Sequence, residues 1–172
     1  MKVIKAEKAY FKLTNNKLVL AYIAGFLDGD GCIMLQLVFR HDYVLGYQIR
    51  ASIVFYQKQQ NESFLEWLKS ILNYGYLRRR NDGMAEYTIV GVQPVIETLK
   101  ILQPFLKLKK SQTELALSIL KRMPGKGRKI SSKLLLELAK EVDIFRFLNY
   151  SKKRTNTSLQ VEEFLRSHRL IP

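Results

Sequence analysis

The apolar positions of this chain follow a helical arrangement near the start and then change to the alternation of a strand. Residues 18–27, "LVLAYIAGFL", are continuously apolar and follow Asn15 and Asn16, which favour a helix N-cap, so a helix ending near Gly29 is predicted. The next segments, "CIMLQLVFR" and "YQIRASIVFYQ", alternate with a period of two, which predicts two strands with one buried face each. The buried sets are expected to be Ile33, Leu35, Leu37 and Phe39, and Tyr47, Ile49, Ala51, Ile53 and Phe55.

The remainder of the chain continues with a helix, a hairpin and further helices. Residues 61–73 repeat apolar positions at helical spacing, and the turn residues Asn81-Asp82-Gly83 separate two strand patterns. Further helices are predicted from Gln93, over 105–122, over 131–148 and after a basic loop at 151–158. The order α-β-β-α-β-β-α predicts an α+β fold with helices on one face of an antiparallel sheet. A single domain over residues 1–172 is expected, with a core at about 17–123 and a helical C-terminal part at about 124–172.

The charge of the chain indicates the class of partner. Among 172 residues, 29 Lys and Arg outnumber 15 Asp and Glu, which gives a net charge of +14. This excess predicts a polyanionic partner, with nucleic acid before an anionic membrane. The single cysteine, Cys32, excludes disulfide frameworks and cysteine-based zinc sites. No apolar run approaches the roughly 18 residues of a membrane span, and no secretory signal is expected.

The outward face of the predicted sheet carries side chains that can read base pairs. Arg forms bidentate contacts with guanine, Gln with adenine, and Glu accepts from cytosine, while an antiparallel ribbon fits a major groove. The alternative is an ordinary solvated face, since exposed strand positions are commonly polar. The Arg and Gln content and the net charge favour the DNA-reading interpretation. The outward polar residues are Gln36, Arg40, Gln48, Arg50, Ser52, Arg78, Arg80, Glu86 and Thr88.

The first helix combines small residues at helical spacing with an acidic end. Ala21, Gly25 and Gly29 recur every fourth position, and Asp28 and Asp30 follow at the C-terminal end, where the macrodipole disfavours acid. A bound divalent cation would compensate the carboxylates. Small residues would let two copies of the helix pack at a twofold axis and bring two Asp30 residues together. The alternative is a helix C-cap with ordinary turn aspartates.

The run "AYIAGFLDGDG" (residues 21–31) resembles the motif that names the LAGLIDADG homing endonucleases. The resemblance continues in "ILQPFLKLKKSQ" (residues 101–112) and in the element order, so that it covers roughly residues 17–123. It points to the single-motif, homodimeric branch encoded in organellar group I introns. It implies an αββαββα core with an antiparallel, saddle-shaped sheet that reads DNA, and additional C-terminal helices.

The resemblance also implies catalytic roles. Asp30 would bind the metal together with the Gly29 carbonyl, with Mg²⁺ as the cofactor and Mn²⁺ or Ca²⁺ able to occupy the same sites. Asp28 would be structural. Gln57 would help to organise metal-bound water, and Lys109 would lie near the scissile phosphate.

One position departs from the pattern of close relatives. They carry a basic residue shortly after the glutamine, where this chain has Asn61; either Lys58 substitutes for it or that role is missing. Gln57 shares strand parity with Phe55, so its amide is expected under the sheet. A buried amide there needs a partner, and a metal-bound water would serve.

The implied activity is a metal-dependent double-strand break in a long pseudo-palindromic DNA site that promotes intron homing. The implied partners are double-stranded DNA and a second copy of the chain, with no membrane and no small-molecule substrate, in a chloroplast or mitochondrion. The alternative is a DNA-binding protein or an intron-RNA maturase without cleavage, which the presence of Asp30, Gln57 and Lys109 disfavours. The expected DNA-binding residues are Gln36, Val38, Arg40, Tyr43, Gln48, Arg50, Ser52, Tyr56, Arg78, Arg80, Glu86, Thr88, Lys152 and Arg154. The expected dimer interface is Ala21, Gly25, Phe26 and Gly29.

Overall fold

The structure, a computed structural model, describes residues 16–125, 127–148 and 156–172. The helices are α1 (Lys17–Asp30), α2 (Glu62–Leu72), α3 (Val92–Leu102), α4 (Lys110–Arg122), α5 (Ser132–Leu148) and α6 (Ser158–Ser167). The strands are β1 (Gly31–Phe39), β2 (Tyr47–Lys58), β3 (Tyr76–Arg79) and β4 (Met84–Val90). The predicted α+β fold and the order α-β-β-α-β-β-α are confirmed. None of the described helices is both long and apolar enough to cross a membrane.

Helix α1 begins and ends where the sequence pattern predicts. Asn16 is the N-cap, and its side-chain oxygen accepts hydrogen bonds from the backbone N–H groups of Leu18 and Val19 at 3.1 and 3.4 Å. One side of the helix buries apolar residues, including Ile23 and Leu27. The chain passes directly from Asp30 into β1 at Gly31.

The four strands form one sheet in the order β1-β2-β4-β3. Strand β4 pairs antiparallel with β2 and with β3. Phe55 of β2 lies opposite Tyr87 of β4, and their rings stack at 5.8 Å. The ring of Phe26 in α1 also stacks with that of Phe55 at 6.0 Å, so α1 covers the inner face of the sheet here.

The chain divides into two compact units. The first contains Ser52–Lys110 and the described part of Met1–Ile33. The second contains Met34–Ala51 and the described part of Ser111–Pro172. The expected division of the chain near residue 123 therefore stays a prediction.

In the second unit, aromatic residues fix α6 against the ends of β1 and β2. The Phe164 ring lies 5.8 Å from that of Phe39 and 5.9 Å from that of Tyr47. Gly46 has a φ of 68°, and a Cβ there would approach the Phe164 ring to 2.4 Å. Phe39 is 38% exposed, so the expectation that it is buried with Ile33 and Leu35 is wrong, because it lies at the last position of its strand.

The start of α4 differs from the sequence prediction. A helix over 105–122 was expected, whereas α4 begins at Lys110 and is preceded by a 3-10 turn at Gln103–Phe105. The intervening backbone N–H groups of residues 107–109 bind the Asp28 carboxylate instead of continuing a helix. A contact between distant parts of the chain therefore determines where this helix starts.

Candidate active site and nucleic-acid interface

The two aspartates at the end of α1 have different environments. Asp28 is 9% exposed, and its carboxylate accepts three backbone hydrogen bonds, from Lys107 at 2.7 Å, Leu108 at 3.1 Å and Lys109 at 2.9 Å. Hydrogen bonds to a charged acceptor are among the stronger ones in proteins. Asp28 thus holds the segment before α4 against the end of α1, in agreement with the structural role expected for it.

Asp30 is exposed and makes no hydrogen bond or ion pair within the part of the chain that the structure describes. Its carboxylate lies at the C-terminal end of α1, where the helix dipole is negative and disfavours a second negative charge. The carboxylate is therefore the uncompensated acid of this helix end, which favours a cation beside it.

The chemistry of this helix end fits a magnesium ion in part. Carboxylate and carbonyl oxygens are the ligands that Mg²⁺ prefers, and Gly29 is exposed next to Asp30. The described residues contain no group of three or more His, Cys, Asp or Glu side chains able to hold a metal. Further ligands would therefore have to be water, phosphate or a second protein chain, which is common for Mg²⁺.

Lys109 is held at the same helix end. Its Nζ donates a hydrogen bond to the backbone carbonyl of Asp28 at 2.6 Å. Burial raises the pKa of the Cys32 thiol above its ordinary value, and the charge of Lys109 partly opposes that rise. The ammonium group is therefore fixed at the end of α1.

Gln57, at the end of β2, is half-buried and has a partner that the sequence did not indicate. Its Oε1 accepts hydrogen bonds from the Asn61 side-chain amide at 3.0 Å and from the Lys58 backbone N–H at 3.3 Å. Gln57 and Asn61 line a cavity of about 230 Å³ beside Phe26, which lies one helical turn before Asp30. The described structure therefore satisfies this amide oxygen with protein groups.

The outer sheet positions in the first unit are less exposed than predicted. Ser52, Glu86 and Thr88 are 1%, 8% and 5% exposed, so the expectation that they face solvent is wrong. They lie on β2 and β4, the two central strands of the sheet. Tyr56 is half-buried, and burial is the largest cause of its raised pKa.

Two of the exposed arginines of this unit, Arg78 and Arg80, share one carboxylate. Glu86 lies opposite Arg78 and pairs with it at 2.9 Å, and its second oxygen lies 3.9 Å from Arg80. Arg80 also pairs with Asp82 at 2.8 Å. Glu86 is therefore paired with arginine in the described structure, and its contact with cytosine stays a prediction. Arg78 and Arg80 are exposed donors beside it.

In the second unit, the outer positions carry exposed polar and aromatic groups. Gln36 and Arg50 are exposed, while Val38 and Gln48 are half-buried. Arg40 lies just beyond β1, where it binds Asp42 through two contacts at 2.8 and 2.6 Å and lies 5.1 Å from the centre of the Tyr43 ring. The expected contacts of Lys152 and Arg154 lie outside the described residues.

The small residues of α1 lie on an open face. Ala21, Gly25 and Gly29 are exposed, and a Cβ added at either glycine would meet no atom within 4 Å. The neighbouring Tyr22 is 59% exposed although it is aromatic. Phe26 differs from this set, because its ring contacts Phe55 and Phe64 of its own chain.

Comparisons with known proteins agree with this fold. Residues 23–123 match the sequence profile of the family described as LAGLIDADG endonuclease. DNA endonuclease I-CvuI of Chlorella vulgaris is 39% identical over 88% of this chain and 92% of its own length. DNA endonuclease I-CreI of Chlamydomonas reinhardtii is 38% identical over 88% of this chain and 91% of its own length. Both organisms are algae that contain chloroplasts.

Solved structures of relatives have a similar fold. The structure of I-CvuI with its target in 2 mM Ca has a TM-score of 0.84 and 38% identity, and covers 90% of this chain and 97% of that one. A second I-CvuI structure, with the I-CreI target in 2 mM Mg and uncleaved DNA, has a TM-score of 0.85 and 38% identity over 91% of this chain and 98% of that one. From the family match and these relatives, the chain belongs to the LAGLIDADG endonuclease family.

Proposed function

We propose that this chain is a sequence-specific DNA endonuclease that makes a metal-dependent double-strand break in a long pseudo-palindromic site and thereby promotes homing of its intron. The observation that carries this proposal is the end of α1. There the chain leaves one carboxylate, Asp30, exposed and without a partner among the described residues, and fixes the Lys109 ammonium nearby. Because the chain belongs to an endonuclease family, these two groups are suited to metal-dependent cleavage of a phosphodiester.

Four groups of this chain would carry out the reaction. Asp30 and the Gly29 carbonyl would hold Mg²⁺, or Mn²⁺ or Ca²⁺ in the same site. A bound divalent cation supplies Lewis-acid stabilisation of the phosphate and lowers the pKa of water. Lys109 would compensate negative charge on the scissile phosphate, and Gln57 would form a hydrogen bond within the site. The contribution of the protein is positioning and charge stabilisation.

Two copies of the chain would form the complete enzyme. A break in both strands needs two reactive centres, and one chain provides a single free carboxylate at this helix end. The open face at Ala21, Gly25 and Gly29 permits close approach of a second α1 helix, because nothing occupies the space beside the glycines. A twofold axis through this contact would place both Asp30 residues at the centre of the dimer.

The sheet would recognise DNA through its exposed basic and polar side chains. Arg78, Arg80 and Arg50 are exposed donors suited to guanine, and Gln36 and Gln48 are suited to adenine. I-CvuI has been crystallised with target DNA, and a chain 39% identical to it is suited to the same class of partner. Because the two relatives come from Chlorella and Chlamydomonas, we place the gene in an organellar intron, in a chloroplast or a mitochondrion.

Selection from a randomised duplex DNA pool tests this function. The purified chain is incubated with the pool in Mg²⁺ and the cleaved ends are sequenced, with Asp30→Asn as the control. Enrichment of one pseudo-palindromic site with staggered ends, by the unchanged chain only, is the expected result. Specific retention of DNA without any cleaved ends would indicate a binding module instead.

A further inference from the structure

We propose that Asn61 is a positioning residue that fixes the Gln57 side-chain amide with its oxygen bound to Asn61 and to the Lys58 N–H, and leaves its N–H groups for a partner in the active site. Gln57 would then act only as a hydrogen-bond donor and not as a proton acceptor. This inference rests on the proposed function, because it refines the role of Gln57 in the cleavage reaction.

The orientation of the Gln57 amide follows from a backbone group. The Lys58 N–H can only donate, so the Gln57 atom 3.3 Å from it is the oxygen Oε1. The Asn61 atom that lies 3.0 Å from the same oxygen must therefore be the donor Nδ2. These two bonds use both acceptor positions of the oxygen. Only the two protons on Nε2 then remain for other partners.

Asn61 does not play the role that asparagine usually has at this position. It is the N-cap residue of α2, where an asparagine oxygen commonly accepts from the first backbone N–H groups. Here its φ and ψ of −106° and 19° are not extended, and its side chain makes no capping hydrogen bond. The Asn61 side chain binds Gln57 instead.

The turn that carries Asn61 is anchored to the β3–β4 hairpin. The backbone N–H of Gln59 donates to the Gly83 carbonyl at 2.9 Å, and its side-chain amide donates to the Arg80 carbonyl at 2.7 Å. Asn61 ends this 3-10 turn, so its position is fixed by the hairpin that also carries Arg80. The Gln57 amide is thus oriented before any substrate binds.

The remaining donor groups suit an anionic partner. The cavity beside Gln57 is also lined by Tyr22, Phe26, Ser63 and Phe64, and among the described residues Nε2 donates to neither the Tyr22 nor the Ser63 hydroxyl. A phosphate oxygen or the lone pair of an attacking water would accept them. Mutation of groups that orient reactive ligands typically reduces activity by about 10- to 100-fold.

Asparagine-to-aspartate exchange tests the orientation with little change in shape. In Asn61→Asp the donor Nδ2 becomes an oxygen that repels Gln57 Oε1, while the N-cap remains a favourable residue type. The matched control is Gln60→Glu, which makes the same amide-to-carboxylate change at the exposed neighbouring position. Single-turnover cleavage of the selected site, the Kd for that DNA without divalent cations, and the side-chain amide NMR signals of Gln57 are measured.

We expect Asn61→Asp to lower the cleavage rate by about 10- to 100-fold, with the Kd changed no more than in Gln60→Glu. The Gln57 amide signals should shift in Asn61→Asp and not in Gln60→Glu. Equal cleavage rates for the two variants, or unchanged Gln57 signals, would overturn the proposal. If the unchanged chain cleaved no DNA, the proposed function would fail, and the NMR signals would still decide whether Asn61 orients Gln57.

Discussion

Exchanging each aspartate at the end of α1 for asparagine should separate folding from catalysis. Asp28 is buried and accepts three backbone hydrogen bonds, whereas Asp30 is exposed and has no partner among the described residues. The two substitutions make the same chemical change two positions apart. We expect Asp28→Asn to lower the free energy of unfolding and Asp30→Asn to abolish cleavage with little effect on folding.

The expected magnitudes follow from the contacts. One oxygen of Asp28 accepts from residues 107 and 108 and the other from Lys109, so an asparagine must place its N–H₂ against at least one N–H. This removes a hydrogen bond to a charged acceptor, worth about 1.5–3 kcal/mol, and leaves a poorly solvated donor. We expect a loss of about 2–4 kcal/mol for Asp28→Asn. Removing the Asp30 charge from a helix C-terminus should be neutral or stabilising by about 0.3–1 kcal/mol.

Urea denaturation monitored by circular dichroism gives the free energies of unfolding. Cleavage in Mg²⁺ of the DNA site selected from the pool gives the activities. Both are measured on the same preparations, so that a folding defect is not mistaken for a catalytic one. Two results would refute the reasoning: an Asp28→Asn chain as stable as the unchanged protein, or an Asp30→Asn chain that cleaves at the original rate. The first would refute the structural role of Asp28, and the second the metal-ligand role of Asp30.

Three other variants address the interface, the recognition surface and the buried thiol. Gly25→Leu should abolish the dimer in analytical ultracentrifugation. The fold should be kept, because a Cβ there meets nothing in its own chain and leucine is more favourable than glycine in a helix by about 1 kcal/mol. A stable dimer would contradict the α1 interface. Glu86→Gln removes the carboxylate that pairs with Arg78 and Arg80. It should reduce discrimination between bases at one symmetric pair of DNA positions, by about 1–3 kcal/mol of binding free energy per contact. Equal weakening of binding to all DNA sequences would contradict this. Because burial raises the pKa of Cys32, its contribution to stability is full below the ordinary pKa of a thiol and is lost as the pH rises through the folded-state pKa. The free energy of unfolding of Cys32→Ala should therefore fall less at alkaline pH than that of the unchanged chain.

Local patterns were sufficient for most of the fold. Asn16 as the N-cap, the two strands and the Asn81-Asp82-Gly83 turn each depend on a few neighbouring residues, and all three are observed. The period-two burial holds in β1 and in the first part of β2, whereas Ala51 to Phe55 of β2 are all buried. The hairpin turn also sets the register that places Arg78 opposite Glu86, so this ion pair could have been predicted from the sequence. The expectation that Glu86 is free for DNA omitted that pairing.

Two kinds of feature were not accessible from local patterns. Strand parity gives the face on which a side chain lies but not what covers it, so the burial of Ser52 and Thr88 depends on neighbouring strands. The start of α4 depends on Asp28, which lies about eighty positions earlier in the sequence than the backbone groups it binds. Such long-range polar contacts leave no periodic signal. The Gln57–Asn61 bond is local, but the asparagine side chain binds Gln57 in place of the usual N-cap contact, so the residue type at this position did not predict it.

The arrangement of α1 explains why an unfavourable sequence for a helix end is tolerated. The Asp28 carboxylate joins the end of α1 to the segment at 107–109, and the Lys109 ammonium binds the Asp28 carbonyl. These contacts fix the position of Lys109 relative to the end of the helix in the folded chain, before DNA binds. Charged groups held in place in this way need little reorganisation during a reaction. The Asp30 carboxylate, which has no partner among the described residues, is therefore a local cost in stability that keeps one carboxylate available for a cation, and the contacts of Asp28 offset that cost.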